Sequence, residues 1–102
     1  MNSDQITMVR IYLHEGEAQV KTILKRLRDW EKVRGVTVFR GISGYGDSGE
    51  IHSTGIVDLS FDLPVVVEFF DDAEKVHEII EHLCETVKPG HIVWWNAHVN
   101  KS

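Results

Sequence analysis

The spacing of apolar residues in this chain alternates between a period of two and a period near 3.6, and the order of the switches leaves few folds open. Residues 8–14 (MVRIYLH) alternate, with Val9, Ile11 and Leu13 on one side and Met8, Arg10, Tyr12 and His14 on the other, which reads as a strand. Over 18–34, Val20, Ile23, Leu24, Leu27 and Trp30 trace the stripe of an amphipathic helix, and Lys21, Lys25, Arg26, Arg28, Lys32 and Arg34 fill its basic remainder. Gly35 suits the C-terminal cap of that helix. Residues 36–42 (VTVFRGI) and 64–70 (PVVVEFF) read as two further strands, the second with its proline at the first position, where the missing N–H is tolerated. Asp71 and Asp72 then offer an N-cap and first-turn negative charge. Val76, Ile79, Ile80, Leu83, Cys84 and Val87 form a second helical stripe that Pro89-Gly90 ends. Residues 92–99 (IVWWNAHV) are a fourth strand.

The resulting order is β-α-β-loop-β-α-β. Two βαβ units with right-handed crossovers give an α+β, ferredoxin-like βαββαβ fold, a four-stranded antiparallel sheet with both helices on one face. A chain of 102 residues is too short for two cores. We therefore expect one domain over 8–100, preceded by a polar, disordered tail over 1–7. Cys84 is expected to be a buried structural thiol on the second stripe. Trp94 and Trp95 are expected on opposite faces, one in the core and one in an interface or cleft.

With sixteen acidic against eleven basic residues and a formal net charge of −5, the chain lacks the basic footprint of nucleic-acid binding. Its single cysteine cannot form an internal disulfide and fits a reducing cytoplasm. No apolar run approaches the ~18–20 residues of a membrane-spanning helix, so no membrane insertion is expected.

Two features point to function. If Val9, Ile11, Leu13, Val65, Val67 and Phe69 face the helices, the opposite face carries Met8, Arg10, Tyr12, Thr37, Phe39, Val66, Glu68 and Phe70. A solvated sheet face is mostly polar; this one is half apolar, which predicts a homo-oligomer with Arg10 and Glu68 pairing across the interface. The second feature is the stretch 40–52 (RGISGYGDSGEIH), which holds four of the eight glycines at the head of a connection over 43–63. Part of that connection, 55–59, is expected to extend a strand. Loops of about twenty residues are uncommon in compact domains and are usually functional. Successive backbone N–H groups in such a loop form anion-binding nests, and the Arg40 fork suits carboxylate or phosphate. The stretch matches neither of the common glycine-rich phosphate motifs. His77 and His82, five residues apart, do not share a helix face, and no paired metal-ligand motif or nucleophile–base pairing has recognisable spacing.

The run GVTVFRGISGYG (35–46), Ile51-His52, DLPVVVEF (62–69) and RIYL (10–13) closely resembles the PII-like family catalogued as domain of unknown function family 190. Gly35-Val36-Thr37-Val38 and Gly44-Tyr45-Gly46 are more distantly similar to segments of the PII signalling proteins. The resemblance implies a homotrimer whose long loop responds to a small ligand in the clefts between subunits. In PII proteins that ligand is an adenine nucleotide, and the loop then docks on a membrane transporter or an enzyme. By this likeness the ligand-binding residues are Gly35, Thr37, Arg40, Gly41, Gly44, Tyr45, Gly46 and His52. Lys88 and His91 stand where PII proteins carry a second, glycine- and lysine-rich phosphate loop, here reduced to VKPGH (87–91). The expected function is that of a non-enzymatic, cytoplasmic regulator that binds a small anion. The alternatives are a divalent-metal-binding trimer on the same fold, suggested by six histidines, and a small ferredoxin-like enzyme.

Overall fold

The computed structural model describes residues 1–14, 18–45, 51–53 and 63–101. Strand β1 (Ser3–His14) lies at the centre of a sheet, between β5 (Pro64–Asp71) and β6 (Ile92–Asn100), and β2 (Val36–Arg40) pairs with the far side of β5. All three pairings are antiparallel, in the order β2-β5-β1-β6. Helices α1 (Gln19–Lys25) and α2 (Ala73–Leu83) complete the ferredoxin-like arrangement expected from the periodicity.

The alternation in β1 and β5 sets the core. Val9, Ile11, Leu13, Val65, Val67 and Phe69 are all buried, in register Val9↔Phe69, Ile11↔Val67 and Leu13↔Val65. They pack against Ile23 and Leu27 from the first helix and Val76, Ile79, Ile80 and Leu83 from the second. Each such side chain contributes about 1.5–3 kcal/mol by burial. Phe69→Ala in this fully enclosed cluster would cost about 3–5 kcal/mol.

Three expectations are corrected. Residues 1–7 are not a disordered tail: β1 begins at Ser3, and Ile6 and Thr7 are buried. The long β6 supplies the partners, from Ser3↔Asn100 onward, and the Lys101 N–H donates to the Asn2 carbonyl at 2.9 Å. The first helix does not run to a cap at Gly35. It widens into a π-helical turn over Arg26–Glu31 and closes at Lys32, which sits in the left-handed region at φ 53°. The Val33 N–H reaches the Leu27 carbonyl at 3.1 Å, a Schellman-like closure. The wider turn rotates Trp30 off the apolar stripe, leaving it 76% exposed.

Cys84 lies just past the end of α2 and is exposed rather than buried, while Val87 remains in the core. Within the connection over 43–63, β3 (Ser43–Tyr45) and β4 (Ile51–Ser53) form a short antiparallel ladder with Gly44 opposite His52. The expected strand over 55–59 falls outside the described residues.

A buried acid ties the helix layer to the sheet. Asp71 accepts from the Asp72 N–H at 2.8 Å and the Arg34 N–H at 3.3 Å, and pairs with Lys75 at 3.2 Å. This carboxylate joins the exit of the first helix to the start of the second.

Candidate functional site

At one end of the sheet, the last residues of β1, the start of β5 and the β3–β4 ladder converge. The Gly41 N–H donates to the Pro64 carbonyl at 2.7 Å. A Cβ on Gly41 would lie 2.7 Å from Pro64 Cγ, and one on Gly44 would lie 3.3 Å from it. Both glycines therefore serve a close approach of the hairpin to the Pro64 ring. Gly35 is different: no atom lies within 4 Å of the place its Cβ would take.

His91 closes the other side. Its carbonyl accepts the Tyr12 N–H at 2.9 Å, and its Nδ1 lies 2.9 Å from the Tyr12 carbonyl. A carbonyl only accepts, so Nδ1 carries the proton. Between Tyr12, His14, Gly44, Tyr45, Pro64 and His91 lies a cavity of about 100 Å³.

The other expected site residues lie elsewhere. Arg40 ends β2 opposite Val65, on the helix-facing side, beside an open cleft of about 300 Å³ with Val20, Val38 and Val65. Lys88 borders a third cleft, of about 210 Å³, with Trp94, Val87 and Gly90. Thr37 pairs with Glu68 and so belongs to the opposite face from Arg40, and Gly35 precedes the same strand. Gly46 is outside the described residues; of His52, only its backbone pairing with Gly44 is described. One chain thus brings together Gly44, Tyr45 and His91, with Gly41 bracing their wall, and keeps Arg40 and Lys88 at opposite sheet edges.

Sequence reasoning did not name Tyr12, His14 and Pro64 as cavity residues. The available signal was that Tyr12 and His14 end a strand and Pro64 begins its neighbour. Trp94 and Trp95 do lie on opposite faces, but neither is in the core: Trp94 is 48% exposed on the cleft side and Trp95 40% exposed on the open face, because β6 is an edge strand. Among the described residues, no group of three His, Cys, Asp or Glu side chains is placed to hold a metal ion. No described helix is long and apolar enough to cross a membrane.

The open face carries the expected mixture, enlarged by β6. Tyr12, Phe39, Val93 and Trp95 are each 40–48% exposed. Arg10 and Glu68 do pair, but within the chain, as cross-strand neighbours with Nε 2.8 Å from Oε1. That hydrogen bond, and a smaller one to Tyr12, raise the Arg10 guanidinium above its ordinary range. The same guanidinium lies 5.5 Å from the Trp95 ring centre, a cation–π distance.

Comparison with known proteins agrees with this architecture. A model of the DUF190 family, described as "Uncharacterized ACR", matches residues 6–99. A UPF0166 protein of Methanocaldococcus jannaschii is 37% identical over 100 residues, covering 92% of this chain and 91% of that protein. A UPF0166 protein of Aquifex aeolicus is 39% identical over 69 residues, 68% of this chain and 65% of its own. The fold is that of PII-like proteins. The structure of CPII from Thiomonas intermedia K12, bound to ADP and bicarbonate, superposes with a TM-score of 0.68 at 20% identity, covering 96% of this chain and 91% of that one. A PII-like signalling protein from Thermus thermophilus gives 0.66 at 18% identity, covering 97% and 91%.

Proposed function

Because the chain belongs to the DUF190 family and has a PII-like fold, we propose that it is a non-enzymatic regulator that binds a small anionic ligand between the subunits of a homotrimer. An adenine nucleotide is the ligand of choice, and the segment 43–63 carries the response to a cytoplasmic enzyme or a membrane transporter. One observation carries the reading. The cationic residues Arg40 and Lys88 lie beside clefts at opposite edges of one sheet, where a ring of copies would bring each edge against its complement. The half-apolar open face supports the same assembly, since leaving side chains such as Phe39 and Trp95 in water forgoes part of the ~1.5–3 kcal/mol each would gain by burial. The nucleotide is supported by the ADP bound to CPII on the same fold.

Calorimetric titration of ATP, ADP, AMP, a cyclic nucleotide and bicarbonate into protein of measured mass tests the reading. The expected result is saturable binding of a nucleotide at one site per chain by a trimer. A trimer that binds none of them refutes the nucleotide; a monomer or dimer refutes the assembly.

A further inference from the structure

The cleft at the β6 edge has a chemistry of its own. Trp94 pairs with the fully buried Val9, so both point to the helix side, yet Trp94 is 48% exposed because β6 is an edge strand that the helices do not cover. Its walls are the end of α2 and the turn that follows: Val87, Cys84, Pro89 and Gly90. The turn is built. Gly90 sits at φ +85°, a conformation that favours glycine, and the His91 N–H closes onto the Lys88 carbonyl at 3.2 Å. Lys88 stands at the rim, and no carboxylate among the described residues pairs with it. A cleft of about 210 Å³ is smaller than the ~300–1,000 Å³ of complete small-molecule sites, which fits one side of a site that a second chain completes.

We propose that this cleft receives a nucleobase, stacked on Trp94, with the phosphate of the same nucleotide directed to Lys88. An indole presents a flat π-face to any base, and an ammonium at the rim supplies the charge that an apolar wall cannot. This assignment rests on the ligand-binding reading above and adds to it the class of group that enters here, a planar aromatic ring with an anionic tail.

The test uses the full chain and two independent readouts. The first is affinity for AMP and ADP, with ribose 5-phosphate and pyrophosphate as ring-free probes. Trp94→Leu should weaken AMP and ADP by about 5- to 140-fold, the value of ~1–3 kcal/mol of base stacking. Trp94→Phe should keep most of the affinity, and the ring-free probes should not respond to either change. The second readout is the reaction of Cys84, the single thiol, with a thiol reagent, which bound AMP or ADP should slow and pyrophosphate should not. Wild-type protein that binds no nucleotide overturns both this assignment and the reading beneath it. Undiminished nucleotide binding by Trp94→Leu, or unprotected Cys84 in a nucleotide-saturated protein, overturns this assignment alone. So does a smaller assembly mass for Trp94→Leu, because Trp94 would then hold the subunits together rather than a base. A Cys84 that does not react in the ligand-free protein overturns it too, because the cleft would be covered.

Discussion

The glycines at the root of the hairpin separate packing from ligand approach, and alanine substitution makes the difference measurable. At Gly41 the new methyl would sit 2.7 Å from Pro64 Cγ and 3.3 Å from the Pro64 carbonyl oxygen. The proline ring is not a side-chain end that swings away, so the backbone must yield. Overpacking of this kind costs about 1–3 kcal/mol. Displacement also strains the 2.7 Å hydrogen bond from the Gly41 N–H, worth about 0.5–1.5 kcal/mol. Alanine recovers about 0.4–1 kcal/mol through the unfolded chain. The net expectation for Gly41→Ala is a loss of about 2 kcal/mol. Gly44→Ala, at 3.3 Å from the same ring, requires a shift of a few tenths of an ångström and should fall between neutral and about 1 kcal/mol of loss. Gly35→Ala meets nothing within 4 Å, and Gly35 does not have a positive φ, so it should gain about 0.4–1 kcal/mol. Urea unfolding at one fixed protein concentration measures all three, the concentration being held because assembly contributes to stability. A Gly41→Ala protein within about 0.5 kcal/mol of wild type, or a Gly35→Ala protein less stable than Gly41→Ala, refutes the reasoning. Under the proposed function, Gly35→Ala should also weaken nucleotide binding while leaving the fold intact.

Lys32 holds a left-handed conformation at φ 53°, which costs a residue with a Cβ about 1–2 kcal/mol. Lys32→Gly should therefore stabilise by about 0.5–1 kcal/mol after the added chain entropy of glycine, since the 2.8 Å bond from Lys75 is to the Lys32 backbone carbonyl and survives; thermal unfolding that shows no gain contradicts this. Phe39→Glu places a carboxylate on the open face beside Arg10 and Val66 and should shift the protein to monomer mass by light scattering with its helices retained. An unchanged mass removes that face from the interface.

The strands were legible because their alternation is strict. Val9, Ile11 and Leu13 against Val65, Val67 and Phe69 define a register that a slip by one residue would turn inside out. What escaped the sequence was decided at a distance. The segment 3–7 is too polar to announce a strand, and it becomes one because β6 is long enough to pair with it. The π-helical turn leaves the apolar positions up to Leu27 in place, so the stripe reads as ordinary helix until Trp30, where the phase is lost. Cys84 fits the helical repeat, but α2 ends at Leu83, and the repeat ceases to describe where the thiol points. The glycine cluster was visible as a cluster; its purpose was not. Gly41 and Gly44 answer to Pro64, a residue far along the chain whose ring they must pass, and no local pattern encodes that encounter.

The same distances argue for a ring of copies. Arg40 and Trp94 face the helix side from β2 and β6, and β5 and β1 lie between them. Three strand spacings of ~4.8 Å put those edges about 14 Å apart across the layer that the helices already occupy. A single small ligand cannot span that separation through a packed core, so under the proposed function each edge of one chain offers half of a site. A two-fold dimer formed through matched edges would set β2 against β2, or β6 against β6, and would leave Arg40 away from Trp94 and Lys88. A cyclic, head-to-tail assembly sets the β2 edge of each copy against the β6 edge of the next and turns the open faces inward. The consequence can be measured by complementation. Arg40→Ala and Trp94→Leu proteins should each bind AMP weakly. Unfolded together in equal amounts and refolded, they should regain about one quarter of the wild-type sites, those in which an intact Arg40 from one chain meets an intact Trp94 from its neighbour. If a single chain supplied both residues to each site, mixing would restore nothing.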